Sequence, residues 1–241
     1  MWKVDLLAIG AHPDDVELCA GGTLLKMIDL GHSAGLLDLT MGELGTNGSG
    51  PLRLEEAEKA RQLIGAEWRH NLQLRDGFFE IDEAALLSVV RVIRTARPDI
   101  ILANAPSDRH PDHGRAARLV DHACFLSGLP KIILEDEAGN LLEKWRPKIV
   151  LNFIQDRYIK PDIVVDITAC HQRKMEVIAA YGSQFFMNRD KLPTPISGED
   201  FWAFLEARAR EMGRAGGVVM GEGFVSKTTP VAYDLFDLIR F

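Results

Sequence analysis

No apolar run in this sequence approaches the roughly 20 residues needed to cross a bilayer; runs such as Val4 to Ile9 and Ile149 to Ile154 are strand-sized. The N-terminus also lacks a basic region followed by a secretory apolar segment, so a cytoplasmic protein with no membrane partner is expected. Cysteine is scarce: Cys19, Cys124 and Cys170 form neither an even disulfide framework nor a paired zinc motif, and read as small buried side chains. Basic residues are outnumbered, with a net charge of -7. That balance argues against a chain built to neutralise phosphates, and no nucleic-acid partner is expected. Gly10 does not begin a Gly-x-Gly-x-x-Gly run, and Gly45-Thr46-Asn47-Gly48-Ser49-Gly50 lacks the terminal Lys-Ser/Thr of a phosphate-binding loop, so no nucleotide cofactor is supported.

What is present is the composition of an ordinary globular protein. With 241 residues, 46% of them hydrophobic and 26% charged, the chain is long enough to bury a sizeable core as one domain, 1–241. Trp2 to Ile9 reads as a buried strand ending at Gly10; after an intervening polar loop, Gly21-Gly22 followed by Thr23 to Leu30 begins or continues a helix, and Ala34 to Leu39 reads as a second strand, the opening of a parallel βαβ unit. Leu52 to Ile64 has helical spacing, Trp68 to Leu74 is a weaker strand, and Glu83 to Arg97 is a helix with a Leu86, Val89, Val90, Ile93 stripe stopped by Pro98. Asp99 to Ala103 is the next strand. Pro111 suits the first position of a helix running through Val120.

Lys148 to Phe153 and Ile163 to Ile167 are further strands, and the short Asp156 to Lys160 connection between them allows an antiparallel arrangement. Arg173 to Tyr181 and Phe201 to Met212 read as late helices. Asn188 to Gly198, with Pro193 and Pro195, reads either as a loop over a site or as an ordinary surface connection. The expected fold is α/β and Rossmann-like, with a mostly parallel central sheet flanked by helices and a mixed C-terminal region.

Two polar clusters follow predicted strands: Gly10-Ala11-His12-Pro13-Asp14-Asp15 and Ser107-Asp108-Arg109-His110-Pro111-Asp112-His113. Open α/β sheets bind ligands outside the carboxyl ends of their strands, where parallel strands bring sequence-distant loops to one crevice. His12, Asp15 and His113 offer nitrogen and oxygen ligands for a borderline divalent metal while leaving a coordination position open. The same residues also suit solvated strand-end loops or a metal-free acid–base site. Asp14 is a candidate general base or, alternatively, a carboxylate interacting with free amides at the helix start. His110 is a candidate for stabilising oxygen charge or protonating a departing amine, with Asp112 orienting its other ring nitrogen; a structural role or a third-ligand role for His110 is the alternative.

Ala11-His12-Pro13-Asp14-Asp15-Val16-Glu17 and His110-Pro111-Asp112-His113 together resemble the zinc-dependent PIG-L/LmbE deacetylases, which remove acetyl groups from sugar-linked amines. Gly42-Glu43-Leu44-Gly45-Thr46, Leu74-Arg75-Asp76-Gly77-Phe78 and Tyr181-Gly182-Ser183-Gln184-Phe185 resemble the bacillithiol-biosynthesis subgroup, and the similarity extends over nearly the whole chain. The resemblance implies His12, Asp15 and His113 as ligands of Zn2+, with another divalent transition metal as the alternative. It implies Asp14 as general base, and His110 with Asp112 as the assisting pair. It also implies Arg53 as the substrate arginine, clamping a carboxylate with two directed hydrogen bonds; by its chemistry alone, Arg53 reads first as a solvated helix-start arginine, and the resemblance reverses that preference.

Leu18-Cys19-Ala20-Gly21-Gly22 and Asn47-Gly48-Ser49-Gly50-Pro51 depart from the family's common continuations, which bears on loop geometry and selectivity rather than on reaction class. The implied reaction is N-deacetylation of N-acetylglucosaminyl malate or a close analogue, releasing acetate and a free amino-sugar conjugate. Another N-acetylglucosamine derivative, or a non-catalytic carbohydrate-binding metalloprotein, are the alternatives. A homo-oligomer, with a hexamer as one candidate form, is also implied.

Overall fold

A computed structural model describes residues 2–136, 138–186 and 191–238. Seven strands form one sheet in the order β3-β2-β1-β4-β5-β7-β6: β1 Leu6–Gly10, β2 Ala34–Thr40, β3 Trp68–Leu74, β4 Ile100–Ala103, β5 Ile149–Phe153, β6 Ile163–Asp166 and β7 Gly221–Ser226. The pairs β1–β2, β2–β3, β1–β4 and β4–β5 are parallel. The helices are α1 Asp15–Asp29, α2 Gly50–Ile64, α3 Glu83–Ala96, α4 Pro111–Ser127, α5 His171–Ala179, the short α6 Gly182–Phe185 and α7 Glu199–Gly216. None among the described residues is long and apolar enough to cross a membrane.

Strand β1 explains why its sequence is apolar throughout rather than alternating: both of its faces are covered. Leu6 and Ala8 pack with Val16 and Leu24 of α1, Ala57 and Ala60 of α2 and Val177 and Ile178 of α5. Leu7 and Ile9 point the other way, toward Val89 and Ile93 of α3 and Leu119 and Val120 of α4. A fully buried leucine or isoleucine stabilises by about 1.5–3 kcal/mol, so this central strand holds the framework beneath the loops that follow it.

After β1 the chain builds outward through β2 to β3, and after β4 it builds in the opposite direction. The strand order therefore reverses between β1 and β4, and the carboxyl ends of these two neighbours flank the crevice that such a reversal opens. Both polar clusters of the sequence emerge there.

Two expectations are corrected. Helix α1 begins at Asp15, not after a polar loop, so Gly21 and Gly22 lie inside it. The amides of Gly22 and Thr23 donate to the buried carboxylate of Glu222 at 3.0 and 2.7 Å, which Lys174 Nζ neutralises at 2.7 Å. The antiparallel character also enters differently: β5 and β6 are not neighbours, because β7 lies between them and runs antiparallel to both. Strand β7 escapes a pattern search because it carries glycine where α7 and the loops come close. A Cβ on Gly223 would stand 2.7 Å from Met212 Sδ. Of the proline-containing stretch, residues 188–190 lie outside the described residues; Thr194, Pro195 and Ile196 line the cleft described next.

Candidate active site

Asp15, the first residue of α1, lies at the centre of the crevice. Its Oδ2 accepts from the His12 amide at 3.0 Å and from Asn104 Nδ2 at 2.9 Å, and Oδ1 accepts from Gln155 Nε2 at 3.0 Å. His113 Nε2 is 3.1 Å from Oδ1, and His12 Nδ1 is 3.6 Å from Oδ2. One buried carboxylate thus faces two imidazoles. The far nitrogen of each ring is held by another carboxylate: His113 Nδ1 by Asp108 at 2.6 Å, His12 Nε2 by Asp76 at 3.0 Å.

Carboxylates behind imidazoles are what orient histidines toward a metal, by fixing which ring nitrogen points inward. His12, His110 and His113 also offer nitrogens within 4.8 Å of one another, as do donor atoms of His12, Asp76 and Asp112. The donor set of imidazole nitrogens around a carboxylate suits a borderline divalent ion such as zinc. The residues therefore fit a metal.

The ionisation pattern has the same cause. Burial opposes charge on His12, but its hydrogen bonds to Asp112, Asp15 and Asp76 outweigh this and raise its pKa well above the ordinary histidine value. Burial likewise opposes charge on His113, yet the neighbouring Asp15 carboxylate and the Asp108 bond lift it to about 9. Burial would push Asp15 up, but His113 and His12 hold it well below the usual carboxylate range. Protons on these two imidazoles supply positive charge in the place a divalent cation would supply it.

Asp14 adopts φ 122°, which non-glycine residues rarely do. Its side chain makes no capping bond to α1, so the Asp14 carboxylate does not satisfy the amides at the helix start. The carboxylate meets Arg53 Nη2 at 2.5 Å instead. Burial raises the Asp14 pKa to about 6, against the lowering effect of Arg53.

His110 precedes Pro111 at the start of α4, and its Nδ1 accepts from the Asp112 amide at 3.3 Å. With Nδ1 accepting, the neutral ring carries its proton on Nε2. Burial and the neighbouring His12 and His113 lower its pKa, which favours the neutral, hydrogen-bond-donating form of the ring. The expected carboxylate partnership with Asp112 is corrected: Asp112 Oδ2 faces His12 Nε2 at 3.4 Å and accepts from the Gly77 amide at 2.8 Å, while Oδ1 takes Arg115 Nη1 at 2.5 Å. The first turn of α4 points that carboxylate away from the preceding ring, and only its backbone amide touches His110.

These groups line a cleft of about 490 Å³, with Leu44, Phe78, Arg109, Phe204 and Arg208 among its other walls. Arg53 is on the wall too, but it is buried, and its fork is already engaged with Asp14, Pro13 and Gly42. Asn104, Gln155 and Asp76, none of them assigned a role from the sequence above, also belong to the site. Asn104 bridges the two loops by accepting from the Ala11 amide at 2.8 Å while donating to Asp15 and, at 3.0 Å, to Gln155. Its one available signal is its place directly after a predicted strand, between Ala103 and Ala105.

A model of the family described as PIG-L, GlcNAc-PI de-N-acetylase, matches residues 7–124, which include His12, Asp14, Asp15, Arg53, His110, Asp112 and His113. The diacetylchitobiose deacetylase of Thermococcus kodakarensis is 30% identical over 191 residues, covering 75% of this chain and 70% of the relative. A probable N-acetyl-alpha-D-glucosaminyl L-malate deacetylase 2 of Bacillus anthracis is 22% identical over 193 residues, covering 75% and 81% respectively. The chain spans about half the length of several other curated relatives that it matches. Among solved structures, a conserved protein of Thermus thermophilus superposes with a TM-score of 0.85 at 32% identity, covering 96% of this chain and 98% of the other.

Proposed function

We propose, from the premise that this chain belongs to the PIG-L (GlcNAc-PI de-N-acetylase) family, that it hydrolyses the acetamide of an N-acetylglucosamine conjugate to acetate and the free amine. The observation that carries this reading is the convergence of Asp14 and His110 on the cluster of buried His12 and Asp15 with half-buried His113 at one cleft. His12, Asp15 and His113 would hold the metal, zinc by its donor set. When bound, such an ion polarises an amide carbonyl and lowers the pKa of water.

Asp14 accepts the proton of the attacking water as the new carbon–oxygen bond forms. His110 donates an Nε2–H hydrogen bond to the amide oxygen as negative charge develops there. The proton held by Asp14 then passes to the nitrogen as the carbon–nitrogen bond breaks, so acetate and amine leave without an acyl-enzyme. Release of acetate from diacetylchitobiose by the metal-loaded protein tests the reading; binding without acetate release would sink it and leave a carbohydrate-binding metalloprotein.

Within this reading Asp108 is a positioning residue for His113. Asp108→Asn removes the negative partner of Nδ1 and is expected to weaken zinc affinity by about 10- to 100-fold, measured by titrating zinc back into chelated protein. Unchanged zinc affinity would show that His113 needs no such support.

Charge on the cleft wall supports one class of conjugate over the other. Every arginine on the cleft wall is engaged: Arg53 with Asp14, Arg109 Nε with Asp156 at 2.8 Å, and Arg208 with the Gln155 and Leu18 carbonyls, both at 2.7 Å. A malate group would meet arginines that already have partners, whereas a neutral sugar needs no cation. A neutral conjugate of the diacetylchitobiose kind is therefore the preferred substrate class. The second reading, N-acetylglucosaminyl malate and bacillithiol biosynthesis, is favoured by Arg109, whose side chain is 51% exposed and whose surface pair is weak enough to exchange. Catalytic efficiency on diacetylchitobiose is expected to exceed that on the malate conjugate by about tenfold, equivalent to about 1.4 kcal/mol. The reverse preference would move the assignment to malate.

A further inference from the structure

Asp14 poses a mechanical problem. Its backbone, at φ 122° and ψ -27°, lies outside the regions open to most side chains, and conformations of this kind persist only where the surroundings enforce them. Local capping does not enforce this one, since the Asp14 side chain makes no bond to the start of α1. Its carbonyl begins the helix by accepting from the Leu18 amide at 2.9 Å, while its carboxylate is turned away from the helix start.

Arg53 supplies the missing constraint. From α2 it reaches across the β1–α1 loop, and Nη2 donates both to Asp14 Oδ2 at 2.5 Å and to the Pro13 carbonyl at 3.0 Å. Nη1 donates to the Gly42 carbonyl at 3.3 Å. Gly42 itself is in the left-handed region at φ +64°, and a Cβ there would collide with Arg53 Nη1. The backbone at residue 42 is thus bare where the guanidinium lies. The guanidinium grips both the backbone before Asp14 and the carboxylate after it, which fixes the turn and the side chain together.

We infer that Arg53 is a positioning residue that holds Asp14 in its strained, cleft-facing conformation, rather than a free clamp for a substrate carboxylate. Three of the five guanidinium N–H groups are taken, two on Nη2 and one on Nη1; the two that remain, on Nη1 and on the unpartnered Nε, do not share an edge, whereas each two-pronged edge of the fork needs the occupied Nη2. The inference rests on Asp14 being the proton acceptor proposed above.

The test is steady-state kinetics of the full-length, zinc-loaded protein carrying Arg53→Ala or Arg53→Lys, on diacetylchitobiose and on N-acetylglucosaminyl malate. Arg53→Ala is expected to lower kcat by about 100-fold on both substrates, the cost of a misplaced catalytic group, with KM within about threefold and zinc content unchanged. Arg53→Lys keeps the charge beside Asp14 and loses the shared grip on Pro13, so it should recover part of kcat and also provides a foldable variant should the alanine protein unfold. Added to Asp14→Asn, Arg53→Ala should cost little more, because the two residues act as one unit.

A rise in KM confined to the malate conjugate, with kcat intact, would overturn the inference in favour of a carboxylate clamp. Additive losses in the double variant would overturn it in favour of a general structural role. If Asp14→Asn alone leaves turnover intact, the base assignment has failed. If Asp14→Asn is crippled while Arg53→Ala is active, only the positioning role has failed.

Discussion

Asp14→Asn is expected to lower turnover by at least about 100-fold, the lower end of what a positioned general base contributes, while leaving folding and metal uptake nearly unchanged. The separation follows from where the bonds fall. Asparagine has almost the same volume and keeps an oxygen that can accept from Arg53 Nη2, so the turn that Arg53 holds against Pro13 survives. The ligand cluster is tied by other contacts, with Asp15 held by Asn104 and Gln155, and His113 held by Asp108. What is lost is the negative charge and the ability to take a proton from water.

The loss of a buried charge also leaves the Arg53 guanidinium facing a neutral amide, which costs some stability because buried ion pairs are sensitive to removal of one partner. A modest fall in melting temperature with full zinc content, together with a collapse of acetate release, is the expected combination. Near-normal acetate release from fully metal-loaded Asp14→Asn would remove Asp14 from the mechanism and with it the proposed proton path.

That Asp14 stands out in the sequence alone reflects how strongly a strand-end motif constrains chemistry. His12, Asp14, Asp15, His110 and His113 stand in two short segments, each following an apolar run, and parallel neighbours deliver such segments to one crevice. The long helices are legible for a similar reason. Glu83–Ala96 carries a stripe of Val89, Val90 and Ile93 that packs on β1 and β2, and the Asp82 side chain accepts from the Ala85 amide to cap it.

What is not legible depends on partners far away in sequence. Asp112 reads as a partner of His110 because they are two residues apart, but direction within a helical turn, not sequence distance, sets where a carboxylate points. It faces His12 and the Gly77 amide. The family resemblance casts Arg53 as reaching for substrate, since nothing in a linear sequence shows that its fork is filled by a loop some forty positions earlier. Strand β7 lacks the β-branched alternation of a strand because Gly221 and Gly223 sit where packing leaves no room for a side chain. Its Glu222, buried at 3% exposure, resembles a surface charge until Lys174 and the amides of α1 are placed around it.

Chelation of the bound metal is expected to reduce acetate release by about 1,000-fold or more, since a Lewis acid supplying about 4 kcal/mol of transition-state stabilisation accounts for that factor. Zinc added back should restore activity, because the ligands stay in place without it. Asp108, Asp76, Asn104 and Gln155 orient His113, His12 and Asp15 through bonds that do not pass through the ion. Asp15→Asn should mimic chelation and resist rescue. Both oxygens of Asp15 accept from donors, Oδ2 from the His12 amide and Asn104 Nδ2, Oδ1 from Gln155 Nε2. Whichever way an asparagine amide is turned, its NH2 meets at least one donor head-on, and the charge that balances His12 and His113 disappears.

Zinc stoichiometry at limiting free metal, measured alongside acetate release, separates this from a general loss of fold, which circular dichroism would report. Full activity in metal-free protein would exclude metal-assisted hydrolysis altogether. Asp15→Asn that retains zinc as tightly as the parent protein would leave the ion in place and transfer the ligand role to the neighbouring trio of His12, His110 and His113, with His110 then no longer free to donate to the amide oxygen.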